Sequence, residues 1–331
     1  MPAERAQPDP WAAASGDQRR LAYDVVDVFT DRAFAGNPLA VVYGAEDLTG
    51  EQMLALATEF NLSETTFPVP LTEADRAAGA DYRLRIFTPG GEIPFAGHPT
   101  VGSAWALRAR GDIAGTDVSQ ACGAGLIGVR LSTDSTGPVE LSAVARDHAQ
   151  ALSAAEVEAV VPLVGLSPED VAGPAYLAGC GLSWLYLRVH TEAVPRARPS
   201  SVRLADVAVD QSGLRDPIDG IDVYAVAPDG PAPGEAVLHI FSRVFVPGLG
   251  IAEDPATGSA AVGLGLALVA AGLAAPEGST SYRIEQGVEM GRPSLLNARV
   301  DAEAGIATRA HVAGQVVPVA SGTILVPPAT P

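Results

Sequence analysis

Two segments of this chain, far apart in the sequence, are similar to each other. The first spans Phe95–Leu107 and the second spans Glu253–Gly265. Each places an ionisable residue directly before a proline and then runs through Thr, Gly, Ser and Ala into small apolar residues. Such a pattern is typical of a helix start, where proline fits the first turn and free N–H groups favour an anion. The repeat predicts two similar halves, each directing a helix start at a shared cleft.

The order of predicted elements also repeats. Strands and an amphipathic helix over Thr49–Phe60 precede a helix over Pro99–Arg110. Short helices near Ala154–Val160 and Pro168–Ala172, followed by strands, then precede a helix over Gly258–Leu273. No GxGxxG motif follows a strand, which argues against a dinucleotide-binding fold. We therefore predict an α+β fold with mixed sheets and two pseudo-symmetric halves.

Glycines inside both repeated helices need a structural reason. Gly102, Gly263 and Gly265 would each cost about 1 kcal/mol relative to alanine in an exposed helix. That cost is tolerated where other backbone must approach closely, as in a helix wrapped by a curved sheet. The glycines thus predict that each helix lies at the centre of its half.

The domain boundaries follow from the same repeat. Residues 1–20, rich in Ala, Pro and charge, are predicted to form a disordered tail. Residues 21–145 form the N-terminal half, with residues 311–331 as a candidate segment that completes it, and residues 146–331 form the C-terminal half.

Composition excludes several classes of function. The net charge of −18 argues against nucleic acid and anionic membranes as partners. All 21 basic residues are arginines. The absence of lysine rules out a lysine Schiff base and a P-loop lysine. No pair of histidines has metal-ligand spacing, and the two cysteines, Cys122 and Cys180, form no zinc pattern or disulfide framework. With no signal peptide or membrane-span pattern, we expect a cytoplasmic protein without a metal or cofactor.

A glutamate lies in an apolar setting between the first helix and a strand. Glu64 is flanked by Leu62 and Phe67. Burial of a carboxyl group raises its pKa and suits it to accept and release protons near neutrality. Glu64 is therefore a candidate acid–base group, although a surface or helix-capping role is more common for a single glutamate.

Several sequence blocks, in order along the chain, resemble the phenazine biosynthesis PhzF family. They cover nearly the whole chain from about residue 22 to residue 326. The blocks are Asp24–Thr30 with Gly36–Pro38, Asn61–Thr65, Arg85–Pro89, Pro94–Pro99, Glu253–Ala260, and Glu285–Gly287 with Met290–Pro293.

The resemblance implies a diaminopimelate epimerase-like fold, in which each half is a curved sheet wrapped around a central helix and the active site lies between the halves. It also implies an isomerase of secondary metabolism that works as a homodimer, without cofactor or metal, on a small molecule. The family's catalytic glutamate matches Glu64, and its supporting residues match His98, Asp254 and Ser259. Gly97 beside His98, and Gly258 beside Ser259, would contribute to substrate binding.

Three functions remain open at this point. The first is an isomerase that moves a proton within a small cyclic amino or hydroxy acid, like trans-2,3-dihydro-3-hydroxyanthranilate isomerase. The second is an amino-acid racemase or epimerase that uses Glu64 and Asp254 as opposed bases. The third is a non-catalytic small-molecule binding protein on the same fold.

Overall fold

A computed structural model describes residues 18–145, 148–202, 204–214, 217–228, 237–246 and 252–328. Of the tail predicted for residues 1–20, positions 1–17 lie outside the described residues. The first strand already begins at Arg20.

The helices and strands are as follows. The helices are α1 (Gly50–Phe60), α2 (Glu73–Ala77), α3 (Gly97–Arg110), α4 (Ala154–Val160) and α5 (Gly258–Ala270). The strands are β1 (Arg20–Val28), β2 (Asn37–Val42), β3 (Glu64–Val69), β4 (Tyr82–Thr88), β5 (Gly91–Ile93), β6 (Asp117–Cys122), β7 (Gly125–Leu131), β8 (Val139–Val144), β9 (Gln150–Ala151), β10 (Tyr176–Gly179), β11 (Ser183–Arg188), β12 (Ile218–Val226), β13 (Val237–Phe245), β14 (Glu253–Asp254), β15 (Gly278–Gln286), β16 (Ser294–Glu303), β17 (Ile306–Gly314) and β18 (Val316–Leu325). None of the described helices has the length and apolar character of a membrane span.

The helix predicted over Pro168–Ala172 is reduced to a short 3₁₀ turn over Pro168–Asp170. The reason is that Val171 leaves helical geometry and forms an isolated antiparallel bridge with Val189. The predicted helix over Thr49–Phe60 is present as α1, and its capping box forms between the side chains and backbones of Thr49 and Gln52.

The strands form a continuous mixed sheet in which one pairing pattern occurs twice. Neighbours in the first half follow the order β18, β1, β2, β3, β4, β6, β7 and β8, and those in the second half follow β9, β10, β11, β12, β13, β15, β16 and β17. In both, the successive pairings are antiparallel, antiparallel, parallel, antiparallel, parallel, antiparallel and antiparallel. Strand β8 then pairs with β17 and joins the halves. The α+β fold with two pseudo-symmetric halves is confirmed.

The last strand of the chain belongs to the first half. Strand β18 pairs with β1 from Arg20 opposite Leu325 to Val28 opposite Val316. It occupies the place that β9 holds beside β10 in the second half. The first half therefore takes its edge strand from the far end of the chain.

Each half wraps its sheet around a repeated helix. Helix α3 packs against β1, β2, β3, β7, β8 and β18, whereas α5 packs against β10, β11, β16 and β17. In α5 the residues from Gly258 to Val269 are all buried, so the helix has no solvent-facing side along most of its length. A helix buried on every side must be apolar all round, which is what the sequence of α5 provides.

The helix glycines are explained by close packing, although the neighbours are side chains and not the backbone that we expected. A Cβ atom on Gly263 would lie 2.1 Å from the hydroxyl oxygen of Tyr186. One on Gly102 would lie 2.7 Å from Leu39 Cδ2, and one on Gly265 would also meet side chains within 3 Å. The sheets thus close more tightly on the helices than an alanine would allow.

The structure corrects the alignment of the two repeated segments. Sequence similarity aligns His98 with Asp254, because each precedes a proline. The helices begin at Gly97 and Gly258, so His98 corresponds to Ser259 and both are second residues of their helices. Asp254 instead lies in β14, before the helix begins. The two halves therefore carry different chemistry at matched positions.

Candidate active site

Two parallel strands of the first half begin at the same end of the sheet. Asn37 is the first residue of β2 and Glu64 is the first residue of β3. Glu64 pairs with Leu39, so β3 begins two residues further along the sheet than β2. The turn into β3 is made by Asn61, which ends α1 in the left-handed conformation with φ of 50°. Asparagine tolerates this conformation better than most residues.

The starts of the two central helices touch each other. A Cβ atom on Gly97 would lie 3.1 Å from the Cα atom of Gly258, and one on Gly258 would lie 3.3 Å from the Cα atom of Gly97. His98 and Ser259 follow directly and are both buried. The first N–H groups of a helix have no partner within the helix, so two sets of donors converge here. Larger residues at either glycine would separate the halves at this point.

The carboxyl group of Glu64 lies at this junction and not in bulk solvent. Its side chain is 15% exposed, and its Oε2 atom is 3.5 Å from Nε2 of His98. Both atoms are buried without a hydrogen-bond partner among the described residues. Burial raises the pKa of Glu64 well above its ordinary value, and the nearby charge of Asp254 raises it further. Glu64 is thus a buried, unengaged carboxyl group with an elevated pKa.

The imidazole of His98 is neutral at physiological pH. The side chain is 4% exposed, and burial lowers its pKa to about 3. A neutral imidazole has one N–H donor and one acceptor nitrogen. His98 can therefore donate a hydrogen bond to Glu64 without forming an ion pair.

The carboxyl group of Asp254 is held on both oxygens. Its Oδ1 accepts from Asn37 Nδ2 at 2.9 Å and from Ser63 Oγ at 3.4 Å, and its Oδ2 accepts from Thr257 Oγ1 at 2.5 Å. Burial raises the pKa of Asp254 to about 6, and these hydrogen bonds oppose that rise. Helix α5 is preceded by Thr257 at its N-cap, so capping is not the role of Asp254.

A glutamine from β15 fixes the segment between Asp254 and α5. Gln286 Nε2 donates to the backbone oxygen of Asp254 at 2.8 Å and to Thr257 Oγ1 at 3.0 Å. Its Oε1 accepts from the Thr257 N–H at 3.2 Å. Because Gln286 is 2% exposed, these bonds form away from competing water.

All the residues that the sequence analysis proposed for the site lie at the junction of the halves. They are Glu64, Gly97 and His98 from the first half, and Asp254, Gly258 and Ser259 from the second. Four other residues that shape the site were not predicted from the sequence, namely Asn37, Ser63, Thr257 and Gln286. A signal for them existed, because each lies inside a block that carries the family resemblance.

The arrangement is suited to moving protons. It holds one unengaged carboxyl group, one neutral imidazole, one immobilised carboxyl group and two converging helix starts. Among the described residues, no group of three His, Cys, Asp or Glu side chains is arranged to ligate a metal ion. Acid–base groups enclosed between two matched halves are typical of a site that moves a proton on and off a bound small molecule.

Comparison with known proteins identifies the family. A family model described as phenazine biosynthesis-like protein (PhzC-PhzF) matches residues 26–322. An uncharacterised isomerase of Mesorhizobium japonicum is 34% identical over 323 residues, covering 92% of this chain and 98% of the relative. A trans-2,3-dihydro-3-hydroxyanthranilate isomerase of Pseudomonas chlororaphis is 34% identical over 304 residues, covering 92% and 99%. The chain belongs to the phenazine biosynthesis-like family, as the sequence blocks predicted.

The fold comparison agrees. The crystal structure of a PhzF-family phenazine biosynthesis protein of Bacillus anthracis matches with a TM-score of 0.77 at 23% identity, over 93% of this chain and 99% of that one. The predicted diaminopimelate epimerase-like fold is confirmed.

Proposed function

We propose that the protein is a cofactor-independent isomerase that moves a proton within one molecule of a small cyclic amino or hydroxy acid. The relatives named trans-2,3-dihydro-3-hydroxyanthranilate isomerase support this substrate class and provide a model substrate. The proposal includes Glu64 as the proton-transferring group.

The observation that carries the proposal is the contrast between the two buried carboxyl groups. Glu64 Oε2 has no hydrogen-bond partner among the described residues, whereas both oxygens of Asp254 accept hydrogen bonds. A base must have a free lone pair within reach of the proton that it removes. Glu64 Oε2 meets this condition in full, whereas three of the roughly four lone-pair sites of Asp254 are already taken, which favours one base over two opposed bases.

The mechanism follows from these positions. As a carboxylate, Glu64 takes a proton from an activated carbon of the substrate, and as a carboxylic acid it returns that proton to another carbon of the same conjugated system. Its raised pKa makes the carboxylate a stronger base for the first step. The N–H group of His98 stabilises the carboxylate that exists before the first step and after the second, and the negative charge of Asp254 helps to raise the pKa of Glu64.

The converging helix starts provide the site for the substrate's own anionic group. The backbone N–H groups at Gly97 and Gly258, together with the hydroxyl of Ser259, would bind a carboxylate or a developing negative charge. The absence of side chains at both glycines lets the two helix starts come into contact, so that both sets of N–H groups lie at one site.

Isotope tracing tests this function. With trans-2,3-dihydro-3-hydroxyanthranilate deuterated at the carbon that loses the proton, we expect turnover without added metal or cofactor, and deuterium recovered at the new position by NMR. One shielded base can carry the isotope across before it exchanges with water. Complete replacement by solvent hydrogen would instead favour two bases, and binding without turnover of any cyclic acid in a panel would favour a binding protein.

Replacement of Asp254 is expected to shift the pH dependence of activity. Glu64 accepts a proton only as a carboxylate, so activity falls as the pH drops through its pKa. Asp254→Asn removes the negative charge that helps raise this pKa, so the acidic limb of kcat/KM should move to lower pH. The exposed Asp47→Asn is the matched control and should leave the profile unchanged. A limb that stays in place or moves to higher pH would contradict this assignment, and total loss of turnover would favour Asp254 as a second base.

A further inference from the structure

One amide group connects the two halves at the centre of the site. Asn37 Nδ2 lies 3.2 Å from His98 Nδ1 in the first half, 2.9 Å from Asp254 Oδ1 and 3.0 Å from the backbone oxygen of Ala256 in the second half. Asn37 is 0% exposed. Its side chain therefore contacts both ionisable groups that flank Glu64, although Asn37 itself bears no charge.

The orientation of this amide is determined by its partners. At neutral pH, Asp254 Oδ1 and the Ala256 carbonyl oxygen can accept hydrogen bonds but cannot donate them. The NH₂ group of Asn37, and not its oxygen, must therefore face them. The same nitrogen is the atom nearest to His98 Nδ1. The amide nitrogen donates and does not accept, so a proton on Nδ1 would have no acceptor there, which is unfavourable in a buried site.

The neutral ring of His98 consequently carries its proton on Nε2. That atom is the one 3.5 Å from Glu64 Oε2. The two atoms are not hydrogen-bonded in this structure, but the N–H group lies beside the carboxyl group and stabilises its charged form when the contact tightens. With the opposite tautomer, the lone pair of Nε2 would face Glu64 and would favour the protonated carboxyl group.

We propose that Asn37 is a positioning residue that selects the Nε2–H tautomer of His98 and, with the same amide, orients Asp254. The role rests on the proposed function of Glu64 as the proton-transferring group. Asn37 contacts both neighbours of Glu64, His98 from the first half and Asp254 from the second. The carboxylate form of Glu64 is therefore stabilised only when the two halves are in correct contact.

The backbone around Asn37 is held in place for this role. Gly36 has φ of +66°, and a Cβ atom on it would lie 2.3 Å from the Val28 carbonyl oxygen. Arg292 of the second half donates to the backbone oxygens of Gly36 and Ala35 at 2.8 and 2.7 Å, and forms an ion pair with the buried Asp27. The loop before Asn37 is therefore fixed by both halves, which holds the side-chain amide of Asn37 in position when no substrate is bound.

The tautomer can be measured without any substrate. Two-bond ¹H–¹⁵N correlation spectra distinguish the two neutral forms of histidine, and comparison with His98→Gln assigns the signal of His98. We expect the Nε2–H form in the unmodified protein. Asn37→Asp replaces the donor with an acceptor of the same shape, so the spectrum should change to the Nδ1–H form. A second variant, Asn37→Ala, should give a mixture, and it keeps the test valid if the added charge of Asn37→Asp prevents folding.

Kinetics provide the second readout. Because loss of an aligned donor typically lowers kcat by about 10²–10³-fold, both variants should lose about 100-fold in kcat with little change in KM. The acidic limb of their pH profile should move to higher pH, since Glu64 loses the N–H that favours its charged form. Asn297→Asp, an exposed change of the same chemistry in β16, is the matched control and should have normal kinetics.

Different results would overturn the positioning role of Asn37 and the proposed function of Glu64. An Nδ1–H form in the unmodified protein, or an unchanged Nε2–H form in both variants, would overturn the role of Asn37 regardless of substrate. If the tautomer changes as expected but turnover and its pH profile stay normal in the variants, His98 does not act on the reaction through Asn37, and the positioning role is also overturned. Retention of normal turnover by Glu64→Gln would instead overturn the proposed function itself.

Discussion

The Glu64→Gln variant is expected to lose at least about 10⁴-fold in kcat, because a group that itself carries the transferred proton cannot be replaced by an amide. Glutamine has nearly the same shape, so the substrate should still bind and KM or the ligand Kd should change little. Steady-state kinetics and calorimetric binding of a substrate analogue would measure the two effects separately.

The same variant should be more stable than the parent protein at neutral and alkaline pH. The pKa of Glu64 is raised in the folded state, so folding favours its protonated form. The associated stability is complete below the unfolded pKa of about 4.3 and is lost as the pH rises through the folded pKa. Glutamine does not ionise and avoids this loss. Urea denaturation at pH 8 should therefore show a higher free energy of unfolding for Glu64→Gln, and the gain should shrink at pH 4.

The exposed Glu59→Gln, at the end of α1, is the matched control for both measurements and should change neither activity nor stability. Turnover of Glu64→Gln within tenfold of the parent would rule out Glu64 as the proton carrier. Equal stability of parent and variant at pH 8 would show that the carboxyl group is not desolvated in the free enzyme.

The second large effect is expected from Gly263→Ala, a change of one methyl group in the centre of α5. The added Cβ would lie 2.1 Å from the hydroxyl oxygen of Tyr186, a side chain that is 0% exposed. Tyr186 also donates to the backbone oxygen of Ala260 at 2.9 Å, close to the start of α5. Overpacking of this kind typically costs about 1–3 kcal/mol, and the displaced hydroxyl would leave a buried donor unsatisfied, which adds about 1–3 kcal/mol.

Thermal and urea denaturation would measure this loss, and kcat should fall as well because the start of α5 forms part of the site. Gly128→Ala in β7 is the matched control, since no atom lies within 4 Å of its added Cβ. That change should be neutral within about 0.5 kcal/mol, as is usual for surface positions. A Gly263→Ala protein as stable as the parent would show that the sheet can relax around α5.

Local patterns made much of the fold predictable from sequence. The capping box at Thr49 and Gln52 and the Pro-, Gly- and Ala-rich helix starts are interactions between near neighbours, so the helices could be placed. The exact correspondence of the halves could not, because Pro99 lies inside the first turn of α3 whereas Pro255 lies before α5. A shared residue type therefore marked different positions in the two copies.

The site was predictable only in part for a related reason. Glu64 and His98 were found because each stood in a recognisable local context. The bond between Asn37 and Asp254 joins residues 217 positions apart and depends on how the halves meet, which no local pattern reports. A buried asparagine before a strand reads as a turn residue until its partners are known.

The return of β18 to the first half has a consequence for the way the protein matures. During synthesis, β1 is made among the first strands and β18 among the last, so the hydrogen-bonding edge of β1 stays open until nearly the whole chain has left the ribosome. An open edge can pair with other chains. The half that carries Glu64 and His98 is thus begun first and finished last, so its sheet is complete only after β18 has been made.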